Sequence, residues 1–162
     1  MNKAQTPSPG NIDPALRELA RTGPLPMRVR GICMQPWIDD DAHVEIRAAD
    51  RYWPGDVLAV RTEDGRILLH RLLGAYPTRT GLRYLTRGDR SLRPDAAVRH
   101  HAILGRLAAG HCTTAAAHPP LAHRARSLGA FSLFMARHAL NALTRRGGLL
   151  IATLRRREVA TA

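Results

Sequence analysis

The stretch Asp56-Val-Leu-Ala-Val-Arg-Thr-Glu63-Asp-Gly-Arg-Ile67-Leu-Leu-His-Arg-Leu-Leu73 decides the fold class. Two apolar runs, Asp56 to Thr62 and Ile67 to Leu73, flank the turn residues Glu63-Asp64-Gly65-Arg66. An Asp-Gly pair between apolar runs is the strongest short-range hairpin signal. The two arms should therefore lie antiparallel, with His70 in the middle of the second, where a rigid sheet can aim its imidazole. Outward from this hairpin, further strands are expected at Gly81 to Thr86 and at Ala102 to Leu107. Short strands separated by Gly, Pro and Asp turns imply a mainly β domain.

That domain is expected to span residues 27–108. Residues 1–26, rich in Pro, Gly and Asn, read as a polar N-terminal segment with one short helix, Pro14 to Arg21, in which proline suits the first turn after Asp13. Residues 109–120 read as a linker. From 121 to 162 the period changes: Leu128, Phe131, Met135, Ala139 and Ala142 recur at spacings of three and four, the pattern of an amphipathic helix. Gly147-Gly148 is expected to end that helix. A second short one, Leu149 to Arg157, then finishes in arginines that suit a helix C-terminus.

Composition narrows the chemistry. Of the 25 basic residues in the 162-residue chain, 24 are arginine, and the one lysine is Lys3, so a strand-borne lysine is excluded as a catalytic group. Residues 121–162 hold eight arginines against Glu158 alone, a net charge of +7 out of +12. Such an asymmetry points to contact with an anionic partner, nucleic acid or a phospholipid surface. The two cysteines, Cys33 and Cys112, are too few and too far apart for a zinc cluster or a disulfide framework. The N-terminal stretch lacks an apolar core, and the longest apolar run, Gly147 to Leu154, is well short of the roughly 20 residues that cross a bilayer. A cytoplasmic protein is expected, with possible peripheral contact at the inner membrane surface.

Cys33 sits in Val29-Arg-Gly-Ile-Cys-Met-Gln-Pro-Trp-Ile. Gly31 before it and Pro36 after it would shape a turn that presents the thiol with backbone N–H groups free to point outward. An isolated cysteine is more often a small buried hydrophobe than a nucleophile. Here it has company. Gly31-Ile-Cys-Met-Gln-Pro, Tyr52-Trp-Pro-Gly-Asp-Val-Leu-Ala-Val-Arg, Leu68-Leu-His-Arg-Leu-Leu-Gly and Tyr84-Leu-Thr-Arg-Gly-Asp-Arg-Ser-Leu-Arg-Pro-Asp resemble, in order and spacing, the boxes of the type I signal peptidase superfamily, which includes the LexA-like self-cleaving repressors. The resemblance covers residues 27 to about 108.

It implies a signal-peptidase-like β-fold with a C-terminal helical extension, and a cysteine endopeptidase that removes a leader or propeptide. The first box normally carries a serine nucleophile; Cys33 occupies that position. The base is a lysine in the bacterial enzymes and repressors but a histidine followed by arginine in the endoplasmic-reticulum and archaeal branch, which His70-Arg71 resembles. A thiol, with pKa about 8.5, is already a few per cent thiolate at neutral pH and can pair with imidazolium. Cys33 and His70 would form a dyad, the histidine acting as base and then acid through a thioester intermediate.

The resemblance also carries over Asp89 and Asp95, either of which would orient His70, and a substrate- and oxyanion-binding turn of Gly31, Cys33, Met34 and Pro36. The backbone N–H of Cys33 is the oxyanion donor; Gly31 stands where some relatives add a serine hydroxyl. The substrate would bind as an extended strand. Asp56 reads as a turn residue. No cofactor is called for. His43, His100, His101, His111, His118, His123 and His138 lack metal-ligand spacing, Asp39-Asp40-Asp41 reads as an acidic turn, and Cys112 as inert. The competing readings are a regulatory, nucleic-acid- or membrane-binding protein on the same fold, for which residues 1–26 are too short to be a helix-turn-helix, and an inactive homologue.

Overall fold

A computed structural model describes residues 14–160, without the side chains of residue 143 and residues 145–160. In chain order its elements are α1 (Pro14–Thr22), β1 (Leu25–Arg28), β2 (His43–Arg47), β3 (Val57–Arg61), β4 (Ile67–Thr78), β5 (Gly81–Arg87), β6 (Val98–Arg99), a single 3-10 turn, β7 (Ile103–Gly110), α2 (Thr114–Ala117) and α3 (Leu121–Ala160). The expectations for Asp13 and for the rest of residues 1–13 lie outside the described residues. The strands form one curled antiparallel sheet in the order β1-β2-β7-β3-β4-β5-β6.

The hairpin forms as its sequence dictates. Leu58 faces His70 and Arg61 faces Ile67 across the pair, and Gly65 takes a φ of 85° in the connecting turn. β3 is buried along both faces because it is central: Val57 and Ala59 join one apolar cluster, Leu58 and Val60 the other. β4 runs five residues past Leu73, through Gly74 and Pro77, which read as breakers. It continues because β5 pairs with it from Arg71↔Arg87 to Thr78↔Gly81, around a bulge between Leu72 and Gly74. β1, β2 and β6 are additional to the expected strands. Pro26 is tolerated in β1 because that strand is an edge, where a missing N–H leaves no ladder bond unmade.

The boundaries also differ from composition. α1 is part of the core: Ala20 is fully buried, and its carbonyl accepts from the Ala48 N–H at 2.8 Å. Residues 109–120 are no free linker, since Ala116 and Ala117 are buried in the first cluster and Ile38 bridges to Cys112. Two compact units result, 1–128 and 129–162. α3 is one continuous helix to Ala160, so Gly147-Gly148 does not end it. Both glycines lie within the helix, and two interior glycines cost a helix only about 1 kcal/mol each relative to alanine. In the second unit Leu133 and Leu140 are exposed, and the rings of Phe134 and His138 lie 6.0 Å apart. The arginines beyond residue 144 lie outside the described side chains. Among the described residues no helix is long and apolar enough to cross a membrane.

The join between β2 and β7 depends on Gly105. A Cβ there would lie 2.5 Å from the Arg47 carbonyl oxygen, in a backbone that has no side-chain freedom to yield. Gly105→Ala should lower stability by about 1–3 kcal/mol, read as a shift of the urea midpoint; an unchanged midpoint would contradict this close approach.

Candidate active site

Successive residues of a strand point to opposite faces, so His70 and Arg71 leave β4 in opposite directions. Both are buried, at 6% exposure each. A guanidinium taken out of water requires a matched anion, and Arg71 has one: its Nε and Nη2 donate to the two carboxylate oxygens of Asp89 at 2.8 and 2.7 Å, while Nη1 donates to the Gly55 carbonyl at 2.8 Å. His70 meets the second aspartate. Its Nδ1 lies 2.7 Å from Asp95 Oδ2, which also accepts from the buried Thr86 hydroxyl at 2.8 Å. The Asp95 N–H donates back to the Thr86 carbonyl at 2.9 Å.

The sequence left Asp89 and Asp95 as equal candidates for orienting His70. In the structure Asp95 holds the imidazole and Asp89 holds the arginine. A carboxylate can only accept, so Nδ1 carries a proton toward Asp95 and Nε2 is the ring nitrogen left on the other side of the imidazole.

Nε2 lies near the turn that carries Cys33. A Cβ built on Gly88 would lie 3.1 Å from His70 Nε2, 3.2 Å from Cys33 Cβ and 2.9 Å from Ser91 Oγ, so the two side chains flank a space kept open by the absence of a third. The residues after β5 clamp this arrangement. The Arg90 N–H donates to the Cys33 carbonyl at 3.0 Å, Arg90 Nη1 donates to Gln35 Oε1 at 2.9 Å, and the Ser91 N–H closes a turn on the Gly88 carbonyl at 2.9 Å.

The turn that carries Cys33 is itself pinned at both ends. Gly31, at φ 105°, donates its N–H to Asp40 Oδ1 at 2.7 Å, and Asp41 pairs with Arg28, so two members of the acidic run serve to hold the turn. The Met34 side chain is fully buried and anchors the turn in the core, while Pro36 is exposed and follows a cis peptide bond. The N–H groups of Cys33 and Met34 both face the sulfur and favour its anion. They are outweighed. Burial first, and then the charges of Asp95 and Asp89, push the Cys33 thiol above its ordinary pKa. These surroundings favour the protonated thiol over the thiolate that an ion pair with imidazolium would require.

Asp56 is a turn residue, as its Gly-Asp context suggests. It accepts from the Trp53 N–H at 2.8 Å and pairs with Arg124 at 3.1 Å, and Arg124 packs against Gly55, at φ 96°. Cys112 forms a bridge to Ile38, and burial raises its thiol too. Thr86 and Gly88 escaped the sequence reading as site residues. A threonine in a strand and a glycine in a Gly-Asp turn both carry commoner explanations, and only their neighbours in space distinguish them.

Two outcomes follow. Alkylation of Cys33 by iodoacetamide should rise with pH about a midpoint above that of an ordinary thiol, because the folded state favours the protonated form; a plateau already reached at neutral pH would mean an ion pair instead. Arg71→Met should cost about 3–5 kcal/mol by stranding Asp89, and adding Asp89→Leu should recover part of that loss in a double-mutant cycle. Compared with family models and with curated proteins, the sequence matches none, so the reading of this site rests on its residues and their geometry.

Proposed function

We propose that this chain is a cysteine endopeptidase of signal-peptidase-like design, with Cys33 as nucleophile, His70 as base and acid, and Asp95 as the group that positions His70. The observation that carries this reading is the meeting of Cys33 and the free Nε2 of His70 across Gly88, with Asp95 fixing the other ring nitrogen.

His70 Nε2 takes the Cys33 proton as the sulfur attacks a peptide carbonyl, which suits a thiol whose resting form is neutral. The resulting oxyanion is stabilised by the N–H of Cys33, with the Met34 N–H beside it. The imidazolium, held by Asp95, returns its proton to the departing amine and leaves a thioester on Cys33. A water then gives its proton to Nε2 and attacks the thioester carbonyl; the proton passes to the sulfur, and the new carboxylic acid departs.

Substrate binding has a location as well. β5 pairs with β4 only from Arg71 onward, so among the described residues Ile67–His70 are paired on the β3 side alone. Between this edge and Met27–Arg30 lies a cavity of about 80 Å3, walled by Met27, Val29, Leu69 and Cys33. An extended peptide added along that edge would bring its carbonyls past Cys33 and place a small aliphatic side chain in the cavity. A leader or propeptide is the substrate class proposed. The arginine-rich C-terminal segment would supply peripheral contact with an anionic membrane.

Cleavage of a mixed peptide library by the full chain, read by mass spectrometry, tests the reading. Cys33→Ala should abolish cleavage, and cutting by that variant would overturn the assignment. Asp95→Asn should lower kcat by about 10²–10⁴-fold by releasing the wrong tautomer of His70. Gly88→Ala should lower kcat at least tenfold while far-ultraviolet circular dichroism stays unchanged, because its methyl group would enter the space that Cys33 and His70 share; full activity in Gly88→Ala would refute that shared space.

A further inference from the structure

A second cavity, of about 230 Å3, lies on the Arg71 side of β4, away from His70. Its polar lining consists largely of donors. Asp89 is the one carboxylate among the lining residues, and both its oxygens are occupied by Arg71, so that pair adds no net charge. Arg87 and Arg126 remain, and among the described residues neither forms an ion pair. Ser127 is 3% exposed. His123 Nδ1 is buried without a hydrogen-bond partner, on a ring held edge-on to Trp37 at 4.8 Å.

Around this one cavity stand two guanidiniums without an ion pair, half-buried on Arg87 and exposed on Arg126, together with the buried Ser127 and a His123 ring nitrogen that lacks a hydrogen-bond partner. Leaving buried polar groups without partners is costly. We propose that this cavity binds a phosphate group. A carboxylate offers two oxygens and one charge; a phosphate offers three or four acceptor oxygens and up to two charges, which matches two arginine forks plus Ser127 and His123. Gln35 and Trp37, from the turn that carries Cys33, form part of the wall, but the site does not require Cys33 to be a nucleophile.

Thermal unfolding and calorimetric titration of the full chain with inorganic phosphate, against chloride at equal ionic strength, test this. A saturable rise in Tm and a measurable Kd are expected. Arg126→Gln and Arg87→Gln should each weaken binding about tenfold or more, as loss of a charge-assisted contact does. Should Arg87→Gln fold poorly, the exposed Arg126→Gln together with Ser127→Ala carries the comparison. A phosphate response no greater than that of chloride, or one unchanged in these variants, would overturn the proposal.

Flotation with phosphatidylcholine vesicles containing phosphatidic acid separates the two sources of phosphate. Retention that inorganic phosphate displaces and Arg126→Gln lacks assigns a lipid headgroup; retention equal in wild type and Arg126→Gln, with the calorimetric response intact, assigns a soluble phosphate compound.

Discussion

Burial of the Arg71 guanidinium is the constraint from which the rest of the candidate site is built. A cation in this position, 6% exposed, would cost several kcal/mol if left unmatched. Its partners come from two separate loops: both oxygens of Asp89 after β5, and the Gly55 carbonyl before β3. One side chain therefore determines where both loops sit relative to β4. Once Asp89 is bound, Gly88 and Arg90 have little freedom, and those residues touch or hydrogen-bond the Cys33 turn. The nucleophile candidate is thus placed by an arginine that points away from it.

The two aspartates of one loop divide the work because β4 alternates. Asp89 serves the face that Arg71 occupies and Asp95 the face of His70, so a single loop clasps the strand from both sides just where β5 has left it. The short hydrogen bond from Thr86 to Asp95 adds direction: with one oxygen shared between the Thr86 hydroxyl and His70 Nδ1, the carboxylate cannot swing without breaking two bonds. Such a support is what a catalytic imidazole needs, since its reactive nitrogen is set by what the other nitrogen holds.

How much of this was legible depended on how local each signal was. The hairpin around Asp64-Gly65 was readable because turn chemistry and apolar patterning agree over adjacent residues. β2 alternates buried and exposed residues cleanly, yet its five residues sit beside an acidic turn that drew the reading elsewhere. The strand extension through Pro77 and the passage of α3 through Gly147-Gly148 both went against residue preferences worth only about 1–3 kcal/mol, which pairing and helix continuity can exceed. At the site, Cys33 and His70 could be named from their boxes, but the choice between Asp89 and Asp95 could not, because it turns on which face of β4 each loop residue reaches. Thr86 and Gly88 were invisible for a similar reason: one acts through a carboxylate nine residues later, the other by lacking a side chain.

The state of the sulfur follows from this same geometry. Asp95 and Asp89 lie near enough to disfavour a thiolate, and burial adds to the effect, while the N–H groups of Cys33 and Met34 oppose it without prevailing. An environment rich in fixed carboxylate charge therefore favours the neutral thiol over the thiolate before a substrate is in place. In the proposed reaction the negative charge would move from sulfur toward the carbonyl oxygen beside the two N–H groups, and the positive charge would form on an imidazole already bonded to Asp95. The same carboxylate that resists a resting thiolate would stabilise the imidazolium formed with a tetrahedral intermediate, so under the proposed function its effect would be larger for the transition state than for the ground state, which is the condition for an interaction to accelerate a reaction.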